Sequence, residues 1–166
     1  MGFGVADWYV ENVRDFPWFV NEKFGARSML VPRESQVGVR VHVLEPGKPS
    51  TLYHRESGQE GFLVVEGECV LIVDGEERPL KQWDYFHCAP ETTHACVGAG
   101  DGPCVMVTLG RRGGGEITYE VNATALARGA GVEQETGSPE DAYAPHPKWA
   151  EGYPESWSEL PWNRGG

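Results

Sequence analysis

Alternation of apolar and polar positions sets in at Gln36. The run Val37-Gly38-Val39-Arg40-Val41-His42-Val43-Leu44 keeps the two-residue period of a strand until Pro46-Gly47 breaks it. Residues 52–56 alternate again, with Leu52, His54 and Glu56 on one face and Tyr53 and Arg55 on the other. After a polar turn at Ser57-Gly58, Glu60 starts a second apolar strand through residues 62–65, closed by Gly67. Residues 69–73 and 76–80 flank Asp74-Gly75, a pair that favours a type I′ hairpin turn. Lys81-Gln82 turns the chain into residues 83–88, a loop spans 89–93, and His94 opens the next strand. A Gly-rich turn at 98–103 precedes the last strong strand, 104–109. Six to eight short strands with tight turns in about 75 residues predict a closed all-β barrel or jelly roll.

The flanks read differently. In residues 1–35, Trp8, Val10, Val13, Phe16, Phe19 and Val20 recur at roughly helical spacing and Pro17 interrupts them. This predicts a short N-terminal helical arm on the outside of a barrel formed by residues 36–110. His42, opposite Val41 and Val43, reads as a surface or dimer-contact histidine. Arg111-Arg112-Gly113-Gly114-Gly115 is a joint into a C-terminal extension, 111–166. Within it, residues 122–128 fit a short helix stopped by Gly129. Ser138-Pro139-Glu140-Asp141 is a second helix start, with Ser as N-cap and acids at the positive end of the dipole. Trp149, Tyr153, Trp157 and Trp162 stand among prolines and are too many large aromatics for a solvated tail. The extension is therefore expected to dock as a strap, on its own barrel or a partner's. The whole is read as one domain.

Charge narrows the partners. Lys and Arg total 14 against 25 Asp and Glu, a net charge of −11, which repels nucleic acid and anionic membranes. No apolar stretch approaches the roughly 18–20 residues of a membrane span. Asp7, Glu11 and Asp15 interrupt the N-terminal region before a leader-like apolar run forms, so a cytoplasmic location is expected. Cys69, Cys88, Cys96 and Cys104 form no CxxC pair and lie in or beside apolar strands, which reads as buried, reduced thiols.

The chemistry gathers in residues 52–67. Two strands joined by the turn at 57–58 can aim His54, Glu56 and Glu60 at one point. An imidazole and two carboxylates inside an apolar barrel need a compensating charge, and a divalent cation supplies one. The same stretch resembles the first motif of the cupin superfamily, Gly-x5-His-x-His-x3-4-Glu-x6-Gly. His54 takes the first histidine, Glu56 stands in place of the second, Glu60 is the carboxylate and Gly67 the closing glycine. The second motif, Gly-x5-Pro-x-Gly-x2-His-x3-Asn, survives mainly as His94. Trp83, Ala89, Glu91 and Gly98 replace its other landmarks, with Asp84 and Pro90 as remnants. Only residues 68–82 separate the two motifs, a gap similar to that of compact single-domain bacterial cupins.

The resemblance implies a double-stranded β-helix and one divalent metal held by His54, Glu60 and His94, with Glu56 as a fourth ligand. A second alignment puts His54 in the second histidine's place and Leu52 in the first. It leaves two histidines and one carboxylate, like the facial triad of non-haem iron oxygenases. Oxygen-rich ligation favours manganese or iron over zinc or nickel and disfavours copper. Two functions of different class remain. One is a metal-dependent enzyme on a small organic molecule, of oxygenase, decarboxylase or isomerase type, with Glu56 or His87 moving the proton. The other is a barrel that binds a small ligand without metal or turnover. A homodimer is expected, since such barrels commonly pair through their outer sheets; the strand at 37–44 is the candidate face.

Overall fold

The computed structural model describes residues 8–113 and 115–165. In chain order the strands are β1 (Trp18–Asn21), β2 (Gly25–Met29), β3 (Val37–Leu44), β4 (Arg55–Glu56), β5 (Glu60–Glu66) and β6 (Glu68–Val73). They continue as β7 (Glu76–Lys81), β8 (Tyr85–Cys88), β9 (His94–Ala99), β10 (Cys104–Arg111), β11 (Ile117–Thr118) and β12 (Ala150–Glu151). Two short helices, α1 (Ala123–Ala127) and α2 (Pro139–Tyr143), lie in the C-terminal extension. Seven strands form one antiparallel sheet in the order β12-β1-β2-β3-β10-β5-β8, and β7-β6-β9 form a second. The fold is all-β, as the alternation predicts.

Two tight turns set the path of this pattern, one carrying it from sheet to sheet and one folding it back within the small sheet. Gly67 alone separates β5, in the large sheet, from β6, in the small one. Its φ is +76°, and a Cβ there would come within 2.3 Å of the Pro103 carbonyl oxygen, so only glycine fits the corner. Asp74 and Gly75 both have positive φ, 47° and 80°, as a type I′ turn requires, and Val73 pairs with Glu76 across it.

The inner faces of the sheets share one core. Leu44, Phe62, Val64, Cys88, Cys104 and Met106 from the large sheet meet Cys69, Leu71 and Cys96 from the small one. All four cysteines are free and buried. On the outside of the large sheet Val41, Val43 and Val105 pack with Trp18, Ala26 and Leu160, and Trp157 and Trp162 lie against that cluster. The strap therefore docks on its own barrel. Outside the small sheet, Ile72, Ala95 and Val97 are covered by Ala125 of α1 and by Ala130. Both helices start where their caps predict: Asn122 accepts from the Ala125 amide and Ser138 from the Asp141 amide.

The N-terminal segment departs from its helical spacing. Only Val13–Asp15 turns, as one 3-10 turn capped by Asn12; β1 and β2 then form a hairpin that extends the large sheet beside β3. Trp18 and Val20 point one way and Phe19 the other, so the apolar set satisfies a period of two once Pro17 has ended the turn. This hairpin covers the edge of β3. His42 is not at the surface: it is 2% exposed and shares the inner face of β3 with Leu44, because Val41 and Val43 face the outer cluster.

Candidate functional site

His54, Glu60 and His94 come together because three strand ends do. His54 precedes β4 and bridges to His94 at the start of β9, the amide of each donating to the carbonyl of the other at 3.1 and 2.9 Å. Glu60 opens β5. Ligand atoms of the three lie within 4.8 Å of one another, and the two imidazole centroids are 4.9 Å apart. Both histidines are buried and Glu60 is half-buried.

The backbone sets the ring orientations. His54 Nδ1 lies 2.7 Å from the Leu52 carbonyl oxygen, and His94 Nδ1 lies 2.9 Å from that of Thr92. A carbonyl only accepts, so each Nδ1 carries a proton and each Nε2 is left to face the cluster. His94 Nε2 then sits 3.0 Å from Glu60 Oε2, an ion-pair contact. A positive charge belongs between these two atoms: a proton on Nε2 supplies it in the metal-free protein, and a divalent ion would take that proton's place. Two imidazoles and a carboxylate are a donor set that suits such an ion.

Electrostatics agree with the crowding. Burial and the neighbouring His94 push the His54 imidazole down to about 4. Burial opposes charge on His94, but the Cys88 thiol and Glu60 outweigh it and raise His94 to about 10. Burial also works against the Glu60 carboxylate, yet the His94 contact holds it below its usual range. Burial and the adjacent Glu60 charge push the Glu56 carboxyl up to about 7.

The other candidate residues divide. Glu56 ends β4 beside Glu60 and lines the cavity, but lies outside the 4.8 Å cluster. His87 does not reach the cavity. On β8 it alternates with Phe86, which packs on the core, and it is exposed. Trp83 and Tyr85 are likewise exposed, at 67% and 57%. Tyr53 is buried with its hydroxyl accepting from the Gly75 amide, and Arg55 pairs with Glu91 and Glu120.

His54 and Glu60 of the cluster form part of the wall of a cavity of about 910 Å³, a size that suits a small organic molecule. Sequence reasoning missed part of that wall: Arg27, Arg40, Tyr119, Tyr143 and Trp149. Tyr143 comes from α2 in the strap, and its hydroxyl accepts from the Leu52 amide, two residues before His54. Arg40 was the legible one. It sits two residues from His42 and four from Leu44, on the row opposite Val41 and Val43.

Comparison with known proteins gives the same architecture. Similar structures include a provisionally named sugar phosphate isomerase from Acidithiobacillus ferrooxidans, 21% identical with a TM-score of 0.50 over 56% of this chain; the chain spans 63% of that protein's length. A sugar phosphate isomerase of the cupin superfamily from Silicibacter pomeroyi is 20% identical, with a TM-score of 0.59 over 86% of this chain and 94% of its own. A cupin-like protein from Thermotoga maritima is 24% identical, with a TM-score of 0.54 over 70% of this chain and 90% of its own. At these identities the likeness is one of fold. No curated protein sequence matches the chain. The family model for the cupin domain matches residues 40–110. With the barrel, that match assigns residues 40–110 to the cupin domain family; the segments on either side lie outside it.

Proposed function

We propose that the chain is a metal-dependent enzyme acting on a small organic molecule, with His54, Glu60 and His94 as ligands of one divalent ion. The observation that carries this reading is the gathering of ligand atoms of His54, Glu60 and His94 within 4.8 Å of one another, with each histidine's Nδ1 committed to a backbone carbonyl. Two imidazoles and one carboxylate favour iron or manganese. Such an ion, when bound, supplies Lewis-acid polarisation of a substrate oxygen.

The rest belongs to the chain's own residues. Glu56 lines the cavity beside Glu60, and burial raises its carboxyl above the ordinary range, so it can take a proton from a molecule over the cluster and return it. The Leu52 and Thr92 carbonyls hold the two rings in place, and Tyr143 holds the Leu52 amide. The exposed His87 takes no part.

The test is elemental analysis of protein purified without chelator. Wild type is expected to carry about one divalent ion per chain and to melt higher loaded than stripped, since the ion stabilises only the folded state. His94→Ala should lose most of the metal with the barrel still folded. Equal metal content in the two proteins overturns the assignment. Glu56→Gln should keep the metal.

A further inference from the structure

The cavity wall formed by β2 and β3 carries positive charge that no described side chain neutralises by contact. Arg27 on β2 pairs with His42 on β3, and Arg40 lies two residues from His42, so both guanidiniums spring from the same inner face. Both side chains are half-buried and line the cavity. Neither has an ion pair or hydrogen bond among the described residues; the partner of Arg27 is the Trp149 ring, 3.9 Å from its guanidinium carbon. Burial and the neighbouring Arg40 pull Arg27 down to about 10, and burial and Arg112 lower Arg40. Arg112 donates to the Pro32 and Arg33 carbonyls, so it too has no carboxylate partner among the described residues.

Three carboxylates share the cavity: Glu56, Glu60 and Glu140. Glu56 and Glu60 attract Arg40 across it but lie beyond ion-pair distance. A divalent ion at the cluster would be balanced by these two, leaving Arg27, Arg40, Arg111, Arg112 and Lys148 against Glu140 alone. Massing half-buried guanidiniums without partners is unfavourable, and in a chain of net charge −11 carboxylates to pair with them are plentiful. The arrangement makes sense if their partner arrives with the ligand.

Between the two regions the strands carry glycine. Gly38 on β3 pairs with Gly110 on β10, and Gly110 pairs with Glu60 on β5. Neither glycine adds a side chain of its own; the Arg112 side chain packs over Gly38 and that of Glu60 lies beside Gly110. Thr108, opposite both Arg40 and Phe62, adds a hydroxyl to the same wall.

We propose that Arg27 and Arg40 form an anion subsite that holds the doubly charged head of the cavity's ligand, a phosphate or a dicarboxylate, with the body of the ligand lying in the cavity toward the cluster of His54, Glu60 and His94. This names the substrate class of the site assigned above and rests on that assignment only for the far end of the ligand. Two guanidiniums side by side present the paired donors that a tetrahedral or planar oxyanion accepts.

The experiment is calorimetric titration of inorganic phosphate, and separately of succinate, into the full chain at constant ionic strength. The proteins are wild type, Arg27→Met, Arg40→Met and His94→Ala. Methionine keeps the stem and removes an uncompensated charge, so both arginine variants should fold with melting points at or above wild type. The expected result is binding to wild type and to His94→Ala, weakened about tenfold or more in either arginine variant. Tighter phosphate than succinate identifies a phosphorylated ligand, and the reverse order a dicarboxylate. No binding of either anion by wild type overturns the subsite, as does equal affinity in wild type and Arg40→Met. Binding lost in His94→Ala but kept in Arg40→Met places the anion on the metal: the subsite fails and the metal assignment stands. Arginine-dependent binding by a wild type that purifies without metal means the reverse: the subsite stands and the metal assignment fails.

Discussion

The inner face of three neighbouring strands changes character along its length. On β3 the inward row runs Gly38, Arg40, His42, Leu44; on β10, Gly110, Thr108, Met106, Cys104; on β5, Glu60, Phe62, Val64. The first members of the rows are small, charged or hydroxylated and border the cavity. The last are apolar and close against Cys69, Leu71 and Cys96 of the facing sheet. One end of the barrel interior is built to hold the sheets together, and the other keeps groups that weaken them. The period of two decides which side chains point inward. It does not say where along the strand packing gives way to chemistry.

The contrast is sharpest under substitution. Met106 is fully buried in the dry end, and Met106→Ala should lower unfolding free energy by about 2–5 kcal/mol in urea titrations. A loss below about 1 kcal/mol would mean the dry end is not what holds the barrel.

His42 sits at the boundary and makes the contrast visible as pH dependence. Burial, then Arg40 and Arg27, push its imidazole from 6.5 down to about 3. A histidine kept neutral in the fold binds a proton more readily when unfolded, so the His42 contribution to stability is constant above about pH 6.5 and falls from there toward pH 3. We expect about 1–2 kcal/mol to be lost over the first two pH units below 6.5, and a shallower slope in His42→Leu. His54, lowered to about 4, keeps some slope in that variant. Identical pH profiles for the two proteins would show that His42 does not set the slope.

At the polar end the sign should reverse. Arg40→Met is expected to leave stability unchanged or raise it by up to about 1 kcal/mol. A loss as large as that of Met106→Ala would show both ends to be structural and break the comparison. The smallest effect concerns the thiols. All four are buried and should resist modification in the native state, then titrate as four after denaturation without reductant.

Much of this was legible before any coordinates. Asp74-Gly75, the strands from Val37 to Arg111 and the caps at Asn122 and Ser138 obey local rules, and the fold follows those rules closely. His54, Glu60 and His94 could be picked out because motif spacing holds them to strand ends. His87 was misplaced because alternation within β8 turns on whether Phe86 or His87 faces inward, and only the packing of Phe86 on Phe62 decides it. The N-terminal spacing misled for a related reason. Six apolar residues across a proline satisfy a turn followed by a strand as well as they satisfy a helix. Arg27 and Trp149 were out of reach, since one comes from that misread segment and the other from the strap, and only tertiary packing brings them together.

The docking of the strap has an optical consequence. Trp18 of β1 lies 5.2 Å from Trp157 and 5.3 Å from Trp162, and those two are 5.8 Å apart. Three indoles this close share their excited states. The folded chain should therefore show a split circular-dichroism band that vanishes when the strap peels away, even if the barrel beneath stays intact. Trp149 stands apart from that trio, beneath the Arg27 guanidinium in the cavity. Its emission should answer to whatever approaches Arg27 and ignore the strap's far end. The chain thus carries two built-in chromophores that report separately on how it is fastened and on what it holds.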